Sequence, residues 1–144
     1  MTPTPVFARD AERLANIHAA AFDTPWSPAE IADVLGGPGA FGLGVGDRGF
    51  VLCRVIVDEA EILTLAVRPA DRRRGVAAAL AIHAMAVARA SGAASMFLEA
   101  ADDNPGALAL YAALDFAEVG RRDGYYVRPT GAVAARIMRR DLNR

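Results

Sequence analysis

From Leu63 to Val67 the chain has the pattern of an apolar strand. It enters a polar loop at Arg68 to Arg74 and opens near Gly75 into an apolar helix pattern that runs to about Ser91. A strand, a loop and a helix in direct succession restrict the fold, because the helix has to pack back on the sheet that the strand joins. The loop also restricts the chemistry. The first N–H groups of a helix have no internal acceptors, and the aligned peptide dipoles make that end attractive to an anion. Gly75 and Ala77 keep side chains away, so phosphate oxygens can approach the backbone. Arg72, Arg73 and Arg74 bring positive charge to the same point. Taken alone, R-x-x-G-x-A is short and equally describes a solvated basic loop. Its place between strand and helix is what points to a pyrophosphate.

The rest of the chain supplies a sheet for this unit. Pro5-Val6-Phe7 predicts a short first strand. Asp10 is positioned to cap a helix on which Leu14, Ile17 and Ala21 share a face. After a loop at Phe22 to Trp26, Ser27-Pro28-Ala29-Glu30 has the residues of a capping box with proline in the first turn, and that helix should stop at Gly36-Gly37-Pro38-Gly39. Stretches at about 40–45, 49–57 and 60–67 predict an antiparallel meander, with turns at 46–49 and at Asp58-Glu59. Ser95 to Glu99 is the next strand, and Asn104-Pro105 starts a helix that runs to Leu114. Phe116 to Arg122 and Ala132 to Arg139 close the sheet around a loop at Asp123 to Gly131. The expected class is α/β with mixed strand directions, in one domain over residues 1–144.

Composition narrows the function classes. With 53% hydrophobic and 23% charged residues, the chain is expected to be a soluble globular protein. A net charge of −1 gives no basic footprint for nucleic acid. No apolar run has membrane-spanning length, and no secretion signal is read at the start, so a cytoplasmic location is expected. All sixteen basic side chains are arginine, which we take as compositional bias. The single cysteine, Cys53, sits in an apolar strand and is expected to be core packing. No Cys/His spacing suggests a metal, and His18 and His83 are expected to be surface or satisfied core residues.

The residues Arg72, Gly75 and Ala77 fill the pattern Q/R-x-x-G-x-G/A, and the segment resembles the acyl-coenzyme A motif of the GNAT superfamily of N-acetyltransferases. The resemblance implies a central, mixed, mostly antiparallel sheet flanked by helices and splayed at the cofactor. It implies that the backbone of Arg73, Arg74, Gly75, Val76, Ala77 and Ala78 wraps the pyrophosphate of acetyl-coenzyme A. It further implies that Leu65, Ala66 and Val67 splay at a bulge beside the pantetheine arm, with the Val67 N–H facing the developing oxyanion.

Glu99 ends an apolar strand, Asn104 caps the following helix and Tyr111 lies two turns along it. Spacing alone favours a strand-end charge for Glu99 and a core aromatic with a wet tip for Tyr111. The wider pattern, Glu-x-x-x-x-Asn followed by Ala-Leu-Tyr, resembles the RimI-type branch of the superfamily, the N-terminal acetyltransferases that act on a ribosomal protein. Phe22 to Ser27, Val57 to Ala60 and Arg121 to Tyr126 are similar to other segments of that branch. Ala101 and Asp115 depart from it, standing where arginine and glycine are usual, and Asp102-Asp103 make the loop before Asn104 acidic.

By the resemblance, an amine attacks the acetyl thioester directly. Glu99 takes its proton, Tyr111 protonates the leaving thiolate, and Asn104 holds the cofactor arm or the helix start. Trp26, Tyr125 and Tyr126 would lie in two loops that flank a peptide groove, although Trp26 could equally staple the two N-terminal helices together. Arg121-Arg122 is expected as a solvated strand edge that could also meet an acidic peptide. The implied acceptor is a protein N-terminus, with a ribosomal protein preferred, and the implied assembly is a monomer or weak dimer. Two other readings stand beside it: an acetyltransferase for a small amine or a lysine side chain, and a non-catalytic acyl-coenzyme A sensor.

Overall fold

The chain forms strands β1 (Thr4–Val6), β2 (Ala40–Val45), β3 (Gly49–Ile56), β4 (Glu59–Val67), β5 (Ser95–Ala101), β6 (Ala117–Arg128) and β7 (Gly131–Asp141). Its helices are α1 (Ala11–Ala21), α2 (Pro28–Leu35), α3 (Val76–Ala90) and α4 (Pro105–Ala113). The computed structural model describes residues 1–143. The strands make one mixed sheet in the order β1-β2-β3-β4-β5-β7-β6. Neighbours are antiparallel except β4 and β5, which are parallel.

Alternation along β3 builds both core layers. Phe50 and Leu52 point to the face covered by α1 and α2, where Leu14, Ile17, Ile31 and Ala66 join them. Val51 and Cys53 point to the other face, against Leu80, Ala84, Met96 and Leu98 under α3 and α4. Burying each large aliphatic side chain contributes roughly 1.5–3 kcal/mol. On α3 the inward positions Ala81, Ala84 and Ala88 are fully buried, and their small size brings that helix close to the sheet.

Two helix starts differ in detail. At α2 the expected capping box forms: the Glu30 N–H donates to Ser27 Oγ at 3.1 Å, and the Ser27 N–H donates to Glu30 Oε1 at 3.0 Å. Asp10 does not cap α1 with its side chain. Its Oδ2 instead accepts the Phe7 N–H at 2.8 Å, closing a single 3₁₀ turn over Ala8–Asp10 that leads into the helix.

The feature that positions the site is the partial pairing of β4 and β5. They are in register only over Glu59–Glu61 against Ser95–Phe97, and then diverge. Leu52 faces Thr64 while Cys53 faces Ile62, so Leu63 is an extra residue in β4, and such a bulge bends its strand. The bulge therefore lies two residues before the expected Leu65–Val67. β5 continues along β7 to Ala101, two residues past the expected end at Glu99. The result is a gap between Leu65–Val67 on one side and Glu99–Ala101 on the other. Helices α3 and α4 both start just beyond it, because each follows directly on one of the two diverging strands.

The largest departure from expectation lies in the closing hairpin. Tyr125 and Tyr126 are not in a loop: β6 extends to Arg128, and the turn shrinks to Pro129-Thr130. Tyr126 and Val127 pair with Val133 and Ala132, as suits aromatic and β-branched side chains. Gly124, at φ +64, and the register shift between Arg122 and Tyr126 absorb the irregularity that resembled a loop. The β3–β4 turn is likewise Val57-Asp58 rather than Asp58-Glu59.

Candidate active site

At the mouth of the gap, Gly75 precedes α3 with φ +79, and Arg73 also has a left-handed φ of 62. Alternation of left-handed residues curls the backbone so that successive N–H groups converge, an anion-binding arrangement. The first bond of α3 is the Ala79 N–H to the Gly75 carbonyl at 3.0 Å. The N–H groups of Gly75, Val76, Ala77 and Ala78 therefore precede any intrahelical partner. Arg72, Arg73, Arg74 and Gly75 are exposed, and a Cβ built on Gly75 would meet only the Met1 side chain, at 3.8 Å. The loop is thus an open, positively charged cradle, and its residues fit a pyrophosphate.

Backbone direction along β4 follows from one bond. The Arg68 N–H donates to the Arg48 carbonyl at 2.8 Å, so this opposed pair is hydrogen-bonded across β3 and β4. Alternation then gives Ala66 and Thr64 to β3, facing Phe50 and Leu52. Leu65 and Val67 turn their N–H and carbonyl groups away from β3, into the gap. Val67 thus keeps the orientation expected of an oxyanion donor, although it is not at the bulge.

Glu99 and Tyr111 lie on opposite faces of the sheet. Leu98 is buried under α3 and α4, so Glu99 points to the other face. There it borders a cleft of about 250 Å³ with Arg54, Glu59, Glu61, Phe97 and Arg122. Its Oε1 lies 3.0 Å from Arg122 Nη2. Tyr111 is buried in the α3/α4 layer, edge-on to Phe116 at 5.5 Å. Burial pushes its phenol pKa well above the ordinary value, so it holds its proton. The hydroxyl makes no hydrogen bond among the described residues, and no sealed side-chain oxygen there lacks a partner. The tip of Tyr111 is therefore not completely sealed, although the residue as a whole is buried. Asn104 holds the helix start: its Oδ1 accepts the Ala107 N–H at 3.1 Å, which leaves its amide N–H₂ available.

The three expected acceptor residues separate into two groups. Tyr125 and Tyr126 meet edge-on at 5.0 Å, with the Arg122 guanidinium 5.3 Å over Tyr125 and that of Arg128 5.0 Å over Tyr126. Burial and the nearby Glu99 charge raise the Tyr126 pKa, which ties this pair to the carboxylate. Trp26 belongs to the N-terminal layer. Its backbone N–H donates to His18 Nδ1 at 3.1 Å, and its ring stacks on His18 at 5.4 Å. His18 Nε2 in turn lies 3.0 Å from Thr64 Oγ1, so the ring donates there while Nδ1 accepts. His18 is a satisfied core residue, as expected. It also fastens the Trp26 loop to β4 beside the bulge.

The acidic departures have structural partners. Asp102 lies 2.9 Å from Arg121 and 2.6 Å from Arg136, and the guanidinium hydrogen bonds hold its carboxyl below the usual range. Asp103 accepts from Nε and Nη2 of Arg128 at 3.1 and 3.4 Å. These pairs clamp the β6–β7 hairpin to the loop before α4. Arg121 and Arg122 are exposed on the edge strand β6, as expected, and each is also paired with a carboxylate. Cys53 is fully buried, and burial pushes its thiol pKa up. Arg122 and His18 were not singled out as site residues by the sequence, because contacts between separate elements leave no spacing signal.

Among the described residues no cluster of His, Cys, Asp and Glu is placed to hold a metal, and no helix is long and apolar enough to cross a membrane. Residues 11–116 match the acetyltransferase (GNAT) family model. The chain is 36% identical over 142 residues to the N-alpha-acetyltransferase RimI of Mycobacterium tuberculosis, covering 92% of this chain and 87% of the relative. It is 30% identical over 133 residues to the ribosomal protein bS18-alanine N-acetyltransferase of Haemophilus ducreyi, covering 88% and 90%. The crystal structure of the ribosomal-protein-S18-alanine N-acetyltransferase from Escherichia coli superposes with a TM-score of 0.90 at 30% identity, covering 98% of this chain and 93% of that one. Arabidopsis thaliana NAA60 in complex with acetyl-CoA has the same fold, with a TM-score of 0.84 at 21% identity over 99% and 98% of the two chains.

Proposed function

The chain belongs to the acetyltransferase (GNAT) family, and on that premise we propose that it moves an acetyl group from acetyl-coenzyme A to the N-terminal α-amino group of a protein, the alanine N-terminus of ribosomal protein S18 being the preferred acceptor. The gap between β4 and β5 carries this reading. It has an anion cradle at its mouth, with the Glu99 carboxylate on one face of the sheet and the Tyr111 phenol in the layer on the other. Such a gap suits a reaction in which donor and acceptor arrive from opposite sides of one sheet.

Each residue then has a task. The backbone from Arg72 to Ala78 takes the pyrophosphate, and Leu65, Ala66 and Val67 offer a strand edge to the pantetheine amides. The Asn104 amide is placed to hold the same arm. The amine nitrogen attacks the thioester carbonyl carbon, and the Val67 N–H stabilises the oxyanion that forms. The nitrogen passes its proton to Glu99, directly or through a water, as the C–S bond breaks. Tyr111 supplies a proton to the sulfur. An α-amine, with a pKa of about 7.7–8.0, is partly neutral at physiological pH, whereas a lysine near about 10.4 is almost wholly charged. Without a strong base in the cleft, the chemistry therefore favours the α-amine. Tyr125 and Tyr126 form the wall of the acceptor site, and the His18-fastened loop at Trp26 forms the facing side.

In this reading residues 1–144 work as one acetyltransferase domain, in the cytoplasm, as a monomer or weak dimer. The test offers acetyl-coenzyme A with an alanine-initiated peptide, a lysine peptide blocked at its N-terminus, and small amines. Transfer to the alanine peptide is expected. Transfer to the blocked lysine peptide or a small amine alone would replace the acceptor, and binding of acetyl-coenzyme A without any transfer would favour a sensor.

A further inference from the structure

Among the described residues, Arg122 touches both the candidate base and the acceptor wall. Its Nη2 is 3.0 Å from Glu99 Oε1, and its guanidinium carbon is 5.3 Å from the Tyr125 ring centre. We propose that Arg122 is a positioning residue of the transfer: it aims the Glu99 carboxylate into the acceptor cleft, and its fixed charge selects the neutral acceptor amine over the ammonium ion. This deepens the function proposed above and rests on Glu99 lying beside the acceptor nitrogen.

The charges facing the cleft can be named element by element. Arg54 comes from β3, Glu59 and Glu61 from β4, Glu99 from β5 and Arg122 from β6, while β7 contributes only the apolar Ile137. Arg54 and Glu61 pair at 3.2 Å, so each is largely cancelled by the other. Glu59 stays as a carboxylate on the β4 side of the cleft, the Tyr126 hydroxyl is the other titratable group near Glu99, and Asp103 beyond it is taken by Arg128. Glu99 therefore meets the acceptor with one permanent cation already bound. A protonated amine has to share that carboxylate with a guanidinium only a few ångströms away, and like charges at that range repel. A neutral amine escapes the repulsion and still finds a proton acceptor.

Without Arg122, the ammonium form would pair with Glu99 itself. That complex binds well and cannot react, because its nitrogen has no free lone pair. The ring contact explains how Arg122 is held: its planar group lies over Tyr125 while its edge reaches Glu99. Its side chain is 55% exposed, so the ion pair adds little to stability and its replacement should leave the fold intact.

The experiment compares wild type, Arg122→Gln and Arg122→Lys, measuring kcat and KM against pH with whichever acceptor the wild type uses. Arg122→Gln is expected to move the acidic limb of kcat to higher pH. Turnover at pH 7 should fall ~tenfold, the effect of displacing one titration by one unit. The deficit should close towards alkaline pH, and KM should not rise. Arg122→Lys, which keeps the charge, should restore most of the profile. An equal loss in both variants at every pH, with the limb unmoved, would overturn the proposal and leave Arg122 a structural role. If the wild type modifies only a lysine or a small amine, the acceptor assignment fails while the comparison of limbs still decides the role of Arg122. Intact cofactor binding with no acceptor modified would overturn both.

Discussion

Asp115 and Gly92 occupy the same place at the ends of two helices, and the comparison shows what one side chain costs. After α3, the Ala93 N–H reaches the Ala88 carbonyl and the Gly92 N–H reaches that of Arg89, both at 3.0 Å. After α4, the Phe116 N–H reaches Tyr111 at 2.9 Å and the Asp115 N–H reaches Ala112 at 3.0 Å. Both are Schellman ends, which need a left-handed residue, and φ is +99 at Gly92 and +67 at Asp115. Asp115→Gly is therefore expected to stabilise the protein by about 1 kcal/mol, raising the melting temperature by roughly 2–4 °C. His18 gives a second prediction at this scale. Burial lowers its pKa from the ordinary 6.5. The unfolded chain then gains a proton near pH 6.5 that the folded chain refuses until lower pH. Stability falls as pH drops below 6.5 and levels off once the folded form protonates. His18→Gln should cost about 1–3 kcal/mol at neutral pH through the lost bonds to Thr64 and Trp26. The variant cannot titrate, so thermal melts of the two proteins should converge as the pH is lowered.

Among the elements, the α3 start and the β4 edge have separate parts in the proposed binding. Gly75 holds φ +79 in open space, so Gly75→Ala should cost roughly 1 kcal/mol of stability and weaken acetyl-coenzyme A only modestly. Gly75→Glu puts a carboxylate where the pyrophosphate would sit. It should abolish cofactor binding by calorimetry while the protein still melts cooperatively. Normal binding by that variant would remove the cradle assignment. The β4 edge is tested by hydrogen exchange. Leu65 and Val67 turn their N–H groups into the gap, whereas Ala66 turns its own towards β3. The first two amides should exchange quickly in the free protein and slow when acetyl-coenzyme A is added. The Ala66 amide should stay protected throughout.

Taken as a whole, the molecule is a sheet opened at the parallel joint of β4 and β5, with Glu99 on one face and Tyr111 on the other. Tyr111→Phe keeps the packing against Phe116 and removes only the hydroxyl. It is expected to lower kcat by about 10²-fold or more and leave the acetyl-coenzyme A dissociation constant nearly unchanged. Glu99→Gln should lower kcat by a similar factor and also free Arg122. Residues acting on one transition state are not additive, so the double variant should lose less than the product of the single losses. A full product in single-turnover assays would mean that the two groups serve separate steps.

The sequence by itself determined most of the elements and the backbone features local to one of them. The capping box at Ser27–Glu30, the strands of the meander, the cradle at Arg72–Ala78 and the Asn104 cap are each set by residues a few positions apart, which composition and periodicity report. Glu99 and Tyr111 were legible as residues, through their likeness to a known family, but their faces were not. Only the tertiary structure decided that the bulge falls at Leu63, that Tyr125 and Tyr126 are strand residues, and that Arg121, Arg128 and Arg136 are spent on Asp102 and Asp103. The same holds for Arg122 against Glu99, 23 positions apart in the chain and 3.0 Å apart in space. Register between distant strands sets such contacts, and it depends on the total packing of both faces of the sheet rather than on any local run of residues.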